Sequence, residues 1–224
     1  MTSLGLLQLV SPALPVGAFS YSEGLEWLVQ TEKILNEEEI FNWIRAELLR
    51  GQIRIEAAAQ TPIRDELKRW QESKSPNSKI IISEWNSWLL ALRDASTMRS
   101  QHCQMGQSLI KLLTELGQPL PDKSKKFCWP IAWAWASHVW NLSKIEGTEG
   151  YLYSWVANQL SAAVRLIPLG PNKAQALQSN LLPLISEQAQ LVLNKDPREI
   201  WTGDVGATFA QLSHHELYSR LFRS

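Results

Sequence analysis

Apolar residues recur along this chain at intervals of three and four, the period that places them on one face of an α-helix. The clearest case is Met98, His102, Met105, Leu109, Leu112 and Leu116, spaced 4, 3, 4, 3 and 4. They predict a core-facing helix that Gly117 and Pro119 bring to an end. Upstream, Ile40, Ile44 and Leu48 follow Asn36 and Glu39, a residue pair suited to capping a helix start. A further helix is expected after Gly51 through "IRIEAAAQ", with Pro62 offering a new start, and "KSPNSK" around Pro76 reads as a loop. Trp85, Trp88, Leu89 and Leu92 mark the next helical face. "WPIAWAWASHVWNL", the Tyr151 to Ile167 segment and "NKAQALQSNLLPLISEQAQLVLNK", bent at Pro183, continue the series. No run alternates apolar and polar residues long enough to propose a strand. The fold class is therefore all-α: a single-domain bundle of about eight to ten helices over residues 1–195, with a mobile C-terminal tail of the same domain over 196–224.

The two termini break the pattern. In "SPALPVGAFSYSEGLEW", Ser11 and Leu14 precede prolines and should be extended, and Pro15 and Gly17 bend the chain into one path. Ser20 and Glu23 have capping-box spacing and are expected to open the first long helix, which accounts for Ser20 and Ser22 better than a nucleophilic role does. At the other end, "DPREIWTGDVGATFAQL" carries Gly203 and Gly206 with little helical period and reads as an irregular connection. In "SHHELYSRLFRS", Ser213 and Glu216 again have capping-box spacing, which would put Leu217, Tyr218, Leu221 and Phe222 on one helical face with Arg220 and Arg223 off it. A helix of about ten residues is marginal alone because nucleation is costly, so this one must dock. Its own domain and another protein are both open as the docking surface.

Composition narrows the function. The 224 residues are 45% hydrophobic and 20% charged, enough to bury a real core. The 22 basic and 22 acidic residues cancel without like-charge blocks, which argues against binding to nucleic acid or a membrane surface. The most apolar stretch, "YLYSWVANQLSAAVRLIPLG", contains Asn158, Gln159 and Arg165 and reads as a buried helix, not a membrane span. "MTSLGLLQLVSP" lacks the basic flank of a secretory signal, and Cys103 and Cys128 have no metal or redox spacing, so a cytoplasmic protein with reduced thiols is expected. The eleven tryptophans read mostly as core mass, with some as interface anchors. His102 beside Cys103 lies on the apolar stripe and reads as a core histidine. His138 stands alone, and a metal at His214 and His215 would need ligands in trans from a symmetric dimer. No phosphate-binding loop, dinucleotide fingerprint or nucleophile elbow occurs, so neither an enzyme nor a cofactor or metal site is expected.

Four segments in order, "LLQLVSPALPVGAFSYSEGLEWLV", "MRSQHCQMGQSL", "AAVRLIPLG" and "SHHELYSRLFRS", together resemble the urease accessory protein UreF family over nearly the whole chain. The resemblance implies an all-helical protein that dimerises and binds a second accessory protein, UreD (UreH in some systems). It further implies recruitment of the GTPase UreG, in the assembly that delivers nickel to apo-urease. On this sequence it designates Glu216, Leu217, Tyr218, Ser219, Arg220, Leu221 and Phe222 as partner-binding residues. In the N-terminal motif it matches Pro15, Gly17, Ser22, Gly24, Leu25 and Glu26, with Gly17 fixing the loop and Glu26 available for polar contacts. Arg99, Gly106, Arg165 and Pro168 also match, Gly106 permitting close helix packing. "TGDVGATFAQL" departs from the more helical pattern of the family. Tyr151, Tyr153 and Trp155 cluster as dimer contacts. Two functions follow: a non-enzymatic scaffold, or a regulator of UreG that inserts Arg220 or Arg223 into the GTPase site.

Overall fold

The computed structural model describes residues 4–122 and 126–224. Among them the regular structure is helical throughout. Helices α1 (Leu4–Leu9) and α2 (Leu25–Gln30) are short, and α3 (Glu37–Arg50) starts where Asn36 Oδ1 accepts the Glu39 N–H at 3.0 Å. Glu39 folds its carboxylate back onto the Leu35 N–H at 2.6 Å, and Ile40, Ile44 and Leu48 form the buried face. This start is as the sequence predicts. Helix α4 (Ile53–Ser73) runs through Pro62 without restarting, contrary to expectation. A proline inside a helix costs about 3 kcal/mol, but α4 packs against α3, α5, α7, α8 and α9, and that burial holds it in one piece.

Pro76 is the first residue of α5 (Pro76–Ala91), so the expected loop is shorter than its composition suggested; Ser75 Oγ caps the Asn77 N–H at 3.3 Å. In α6 (Ser96–Glu115) the buried face is Met98, His102, Met105, Leu109 and Leu113, whereas Leu112 is half-buried and Leu116 exposed. A strict seven-residue repeat drifts about 20° per heptad on a straight helix, so Leu113 takes the place predicted for Leu112. Helix α7 (Trp129–Val139) is buried almost all round and lies between α4 and α6. Helix α8 (Lys144–Leu166) opens with a reciprocal capping box between Ser143 and Glu146 and packs along α9 (Pro171–Val192).

The segment expected to be irregular forms α10 (Val205–Ser213), because Ala207 and Ala210 are buried and the helix packs on α2. Packing overrides the local glycines. The expected helix over 213–222 does not form. Ser213 ends α10, a single 3-10 turn follows over His214–Glu216, and the chain then runs on without helix across its own domain.

Close packing of α6 on the start of α7 depends on Gly106. A Cβ there would lie 2.3 Å from the Phe127 carbonyl oxygen and 2.6 Å from the Cys128 carbonyl carbon, both backbone atoms that cannot swing aside. Alanine at a helix interior normally stabilises by about 1 kcal/mol over glycine; here the clash reverses the sign. Gly106→Ala should lower stability by roughly 1–3 kcal/mol, read as a lower urea midpoint at unchanged slope.

Candidate functional site at the junction of the N-terminal loop and the C-terminal segment

The loop before α2 receives the C-terminal segment. Gly17 sits at φ 74° and turns the chain into a 3-10 turn over Ala18–Ser20. Glu23 and Gly24 both have positive φ, 54° and 89°. The expected capping box between Ser20 and Glu23 is absent, and the helix that follows has only six residues. The side chain facing the first turn of α2 is Ser22, whose Oγ lies 3.4 Å from the Glu26 N–H. Glu23 instead turns inward, accepting from Gln101 Nε2 at 2.7 Å and Trp155 Nε1 at 2.9 Å. At Gly24 a Cβ would meet the Gln211 backbone nitrogen at 2.9 Å, so only glycine lets α10 approach this closely.

Glu26 is the centre of the junction. It is 1% exposed, and its carboxylate accepts the backbone N–H groups of Leu221 (2.5 Å) and Phe222 (3.1 Å) and His214 Nε2 (2.8 Å). Gln30 on the same helix donates to the Ser219 carbonyl at 3.2 Å. The Ser224 carbonyl oxygen accepts from the N–H groups of Ser22 (2.7 Å) and Glu23 (3.1 Å) and from Ser22 Oγ (2.7 Å). Arg165 donates to the Phe19 carbonyl at 2.7 Å and stacks its guanidinium 4.3 Å from the Phe222 ring centroid. From α6, Gln104 accepts the Tyr21 hydroxyl at 2.7 Å and Gln101 accepts the Ser224 hydroxyl at 2.5 Å. Four segments distant in sequence meet in one hydrogen-bonded region.

Beneath it lies a buried charge cluster. Glu56 on α4 is paired with Arg93 through Nε at 3.1 Å and also through Nη2, and it accepts the Tyr151 hydroxyl at 2.6 Å. His102 Nδ1 is 3.7 Å away. Burial pushes the Glu56 carboxyl up, but Arg93 above all, then His102 and Tyr151, outweigh it and hold the group below its ordinary value. Burial pulls His102 down, toward the neutral form, and pushes the Tyr151 hydroxyl up, with Glu56 adding to that rise. A cavity of about 520 Å³, lined mostly by apolar side chains, reaches from Pro12 and Phe19 to Glu56 and His102. Among the described residues, no group of three or more His, Cys, Asp or Glu side chains is placed to hold a metal ion.

The residues singled out in the sequence fall in different places. Ser22, Gly24, Leu25, Glu26, Arg165 and Phe222 come together at the junction. Pro15 and Pro168 are exposed, and Arg99 ties down the connection before α6 by donating to the Arg93 and Asp94 carbonyls. Leu217 is half-buried, while Glu216, Tyr218, Ser219, Arg220 and Leu221 are exposed. Because the helix over 213–222 is absent, Leu217, Tyr218, Leu221 and Phe222 share no face. Glu26 is not free for external polar contacts, since the chain's own segment occupies it. Tyr151, 1% exposed and bonded to Glu56, has no surface for a dimer contact; Tyr153 and Trp155 are half-buried against the cavity. The Glu56–Arg93 pair was missed, although a single carboxylate inside "IRIEAAAQ" is the signal for it.

The UreF family model matches residues 34–182, well over half of the chain. The chain belongs to the UreF family. A urease accessory protein UreF from Prochlorococcus marinus (strain MIT 9215) is 40% identical over 218 residues, 96% of each chain. That of Synechocystis sp. is 38% identical over 231 residues, covering 99% of this chain and 97% of the relative. That of Microcystis aeruginosa is 36% identical over 221 residues, with 99% and 97% covered. The general role of the UreF family, urease maturation, is thereby this chain's role. Among its described residues, no helix is long and apolar enough to cross a membrane.

Two outcomes check the site. Glu56→Ala leaves the Arg93 guanidinium buried and uncompensated and should cost about 3–5 kcal/mol in denaturant unfolding. In the unaltered protein this contribution is present above the ordinary carboxylate range and is lost as pH falls through the lowered pKa of Glu56. Glu26→Ala should free residues 214–224, seen as loss of amide exchange protection at Leu221 and Phe222 while α7 stays protected.

Proposed function

We propose that this chain is a non-enzymatic scaffold of urease maturation. It binds UreD (UreH) through its C-terminal segment and recruits the GTPase UreG, so that nickel, the cargo, is handed to apo-urease. A scaffold acts by fixing geometry and raising effective concentration, and it needs surfaces more than reactive groups.

The observation that carries this reading is an apolar surface on α10 and its flanks. Trp201 is 89% exposed and Val205 81%; Phe209 and Leu212 continue the Val205 face at helical spacing. Tyr218 and Leu221 are exposed beyond them, so nearly half of the large apolar residues exposed among the described residues lie between Trp201 and Leu221. Such a concentration is the mark of a protein-binding surface, with tryptophan and tyrosine as its natural anchors. The scaffold works as a homodimer in the cytoplasm, with Tyr153 and Trp155 as dimer residues.

A second reading, stimulation of UreG, is favoured by the exposure of Arg220 and Arg223. An inserted arginine is worth about 10³ to 10⁵ in phosphoryl-transfer rate, so GTP turnover by UreG with and without this chain separates the readings. Trp201→Ala and Val205→Asp alter only exposed side chains. Each should leave the helical circular dichroism unchanged and weaken the complex with UreD by about tenfold or more, measured by light-scattering chromatography. Unchanged binding in both variants and in a chain truncated after Gln211 would remove the C-terminal segment as the UreD surface.

A further inference from the structure

On the inner side of α10 lies a polar pocket of about 10 Å³, walled by Glu47 of α3, Gln159 of α8, Asp204 at the start of α10, and Glu23, Trp43 and Arg93. Three carboxylates share it with one guanidinium, and that guanidinium is already engaged by Glu56. The space is no larger than a single water needs, and Glu47 and Asp204 are each half-buried beside it, so within the pocket the two carboxylates share at most one water. Gln159, 1% exposed, contributes an amide nitrogen that has no hydrogen-bond partner. Asp204 makes no side-chain capping bond to α10 that would draw its charge away.

We propose that Glu47 is a proton-operated latch on α10: protonated, it lets the helix close over the pocket, and ionised, it repels Asp204 and releases the helix from the pocket. The charged groups facing Glu47 are Asp204 from α10, Glu23 from the loop before α2, Arg93 from the connection between α5 and α6, and Arg50 from its own helix. Burial first, then Asp204 and Glu23, push its pKa from 4.5 up to about 7 against the opposing pull of Arg93 and Arg50. Helix α10 is the element that yields. It has nine residues and packs on α2 alone among the helices with appreciable contact, whereas α3 is clamped by α4, α8 and α9. The hydrogen bond from the Gly203 N–H to the Arg50 carbonyl, 2.8 Å, tethers the helix start in the closed state.

The sign follows from the proton count. Closed, Glu47 keeps its proton up to about pH 7; open, it loses it near 4.5. Closure is therefore strongest below about pH 4.5, weakens as pH rises from there to about 7, and changes no further above it. The latch goes beyond the scaffold reading and is a property of the isolated chain.

Amide exchange at Ala207–Ser213, corrected for intrinsic rates, tests it between pH 5.5 and 7.5. The opening constant should rise about twentyfold in the unaltered chain, stay flat in Glu47→Gln, and rise with a lower midpoint in Asp204→Asn. A rise of equal size in Glu47→Gln, or a flat profile in the unaltered chain, overturns the latch. Where Glu47→Gln loses protection in α7 and so fails to fold, Asp204→Asn decides, and an unchanged midpoint overturns it.

Discussion

A carboxylate in the middle of α4 cannot be buried alone, and the arrangement of this protein follows from how Glu56 is answered. Arg93 comes from the connection between α5 and α6, the phenol of Tyr151 from α8, and the imidazole of His102 from α6. One acidic group thereby fixes the relative placement of two helices and a loop around α4. An apolar residue of similar volume would lose the charge but also the directionality, since hydrophobic contact tolerates sliding where a paired carboxylate does not. The cluster also supports the surface above it, because Gln101 lies one residue before His102 and holds both Glu23 and Ser224.

That surface joins segments from four parts of the chain, and its bonds are largely to main-chain atoms. Glu26 reads the N–H groups of Leu221 and Phe222, and the N–H groups of Ser22 and Glu23 read the Ser224 carbonyl. Recognition through backbone is geometric, requiring a particular path of the C-terminal segment more than particular side chains. Side chains that point away, such as Tyr218, are left over for other surfaces. The junction and the exposed apolar face of α10 are thus two sides of one segment.

Helix content was legible in the sequence because burial and period coincide in α3, α6 and α9. Errors arose where packing overrode local preference. Pro62 sits inside a helix clamped on several sides, and the glycines of "TGDVGATFAQL" are overruled by Ala207 and Ala210. Capping-box spacing occurs without a box at Ser20 and Ser213, and with a reciprocal one at Ser143. A three-residue spacing states only that a cap is possible; which serine is used depends on φ at the next positions, and Glu23 and Gly24 adopt values that spacing does not reveal. The four segments that carry the family resemblance were legible as strings, but their meeting at one point was not, since it rests on contacts up to 202 residues apart.

That separation has a consequence for biosynthesis. Glu26 receives Phe222 across 196 residues, and Ser22 receives Ser224 across 202. As the chain is made, α3, α4 and α7 can collapse while α2 and the loop before it still hold an unanswered carboxylate and unpaired N–H groups in water. Their last partners are translated 202 residues later, so this early-made segment is among the last parts to acquire its native form.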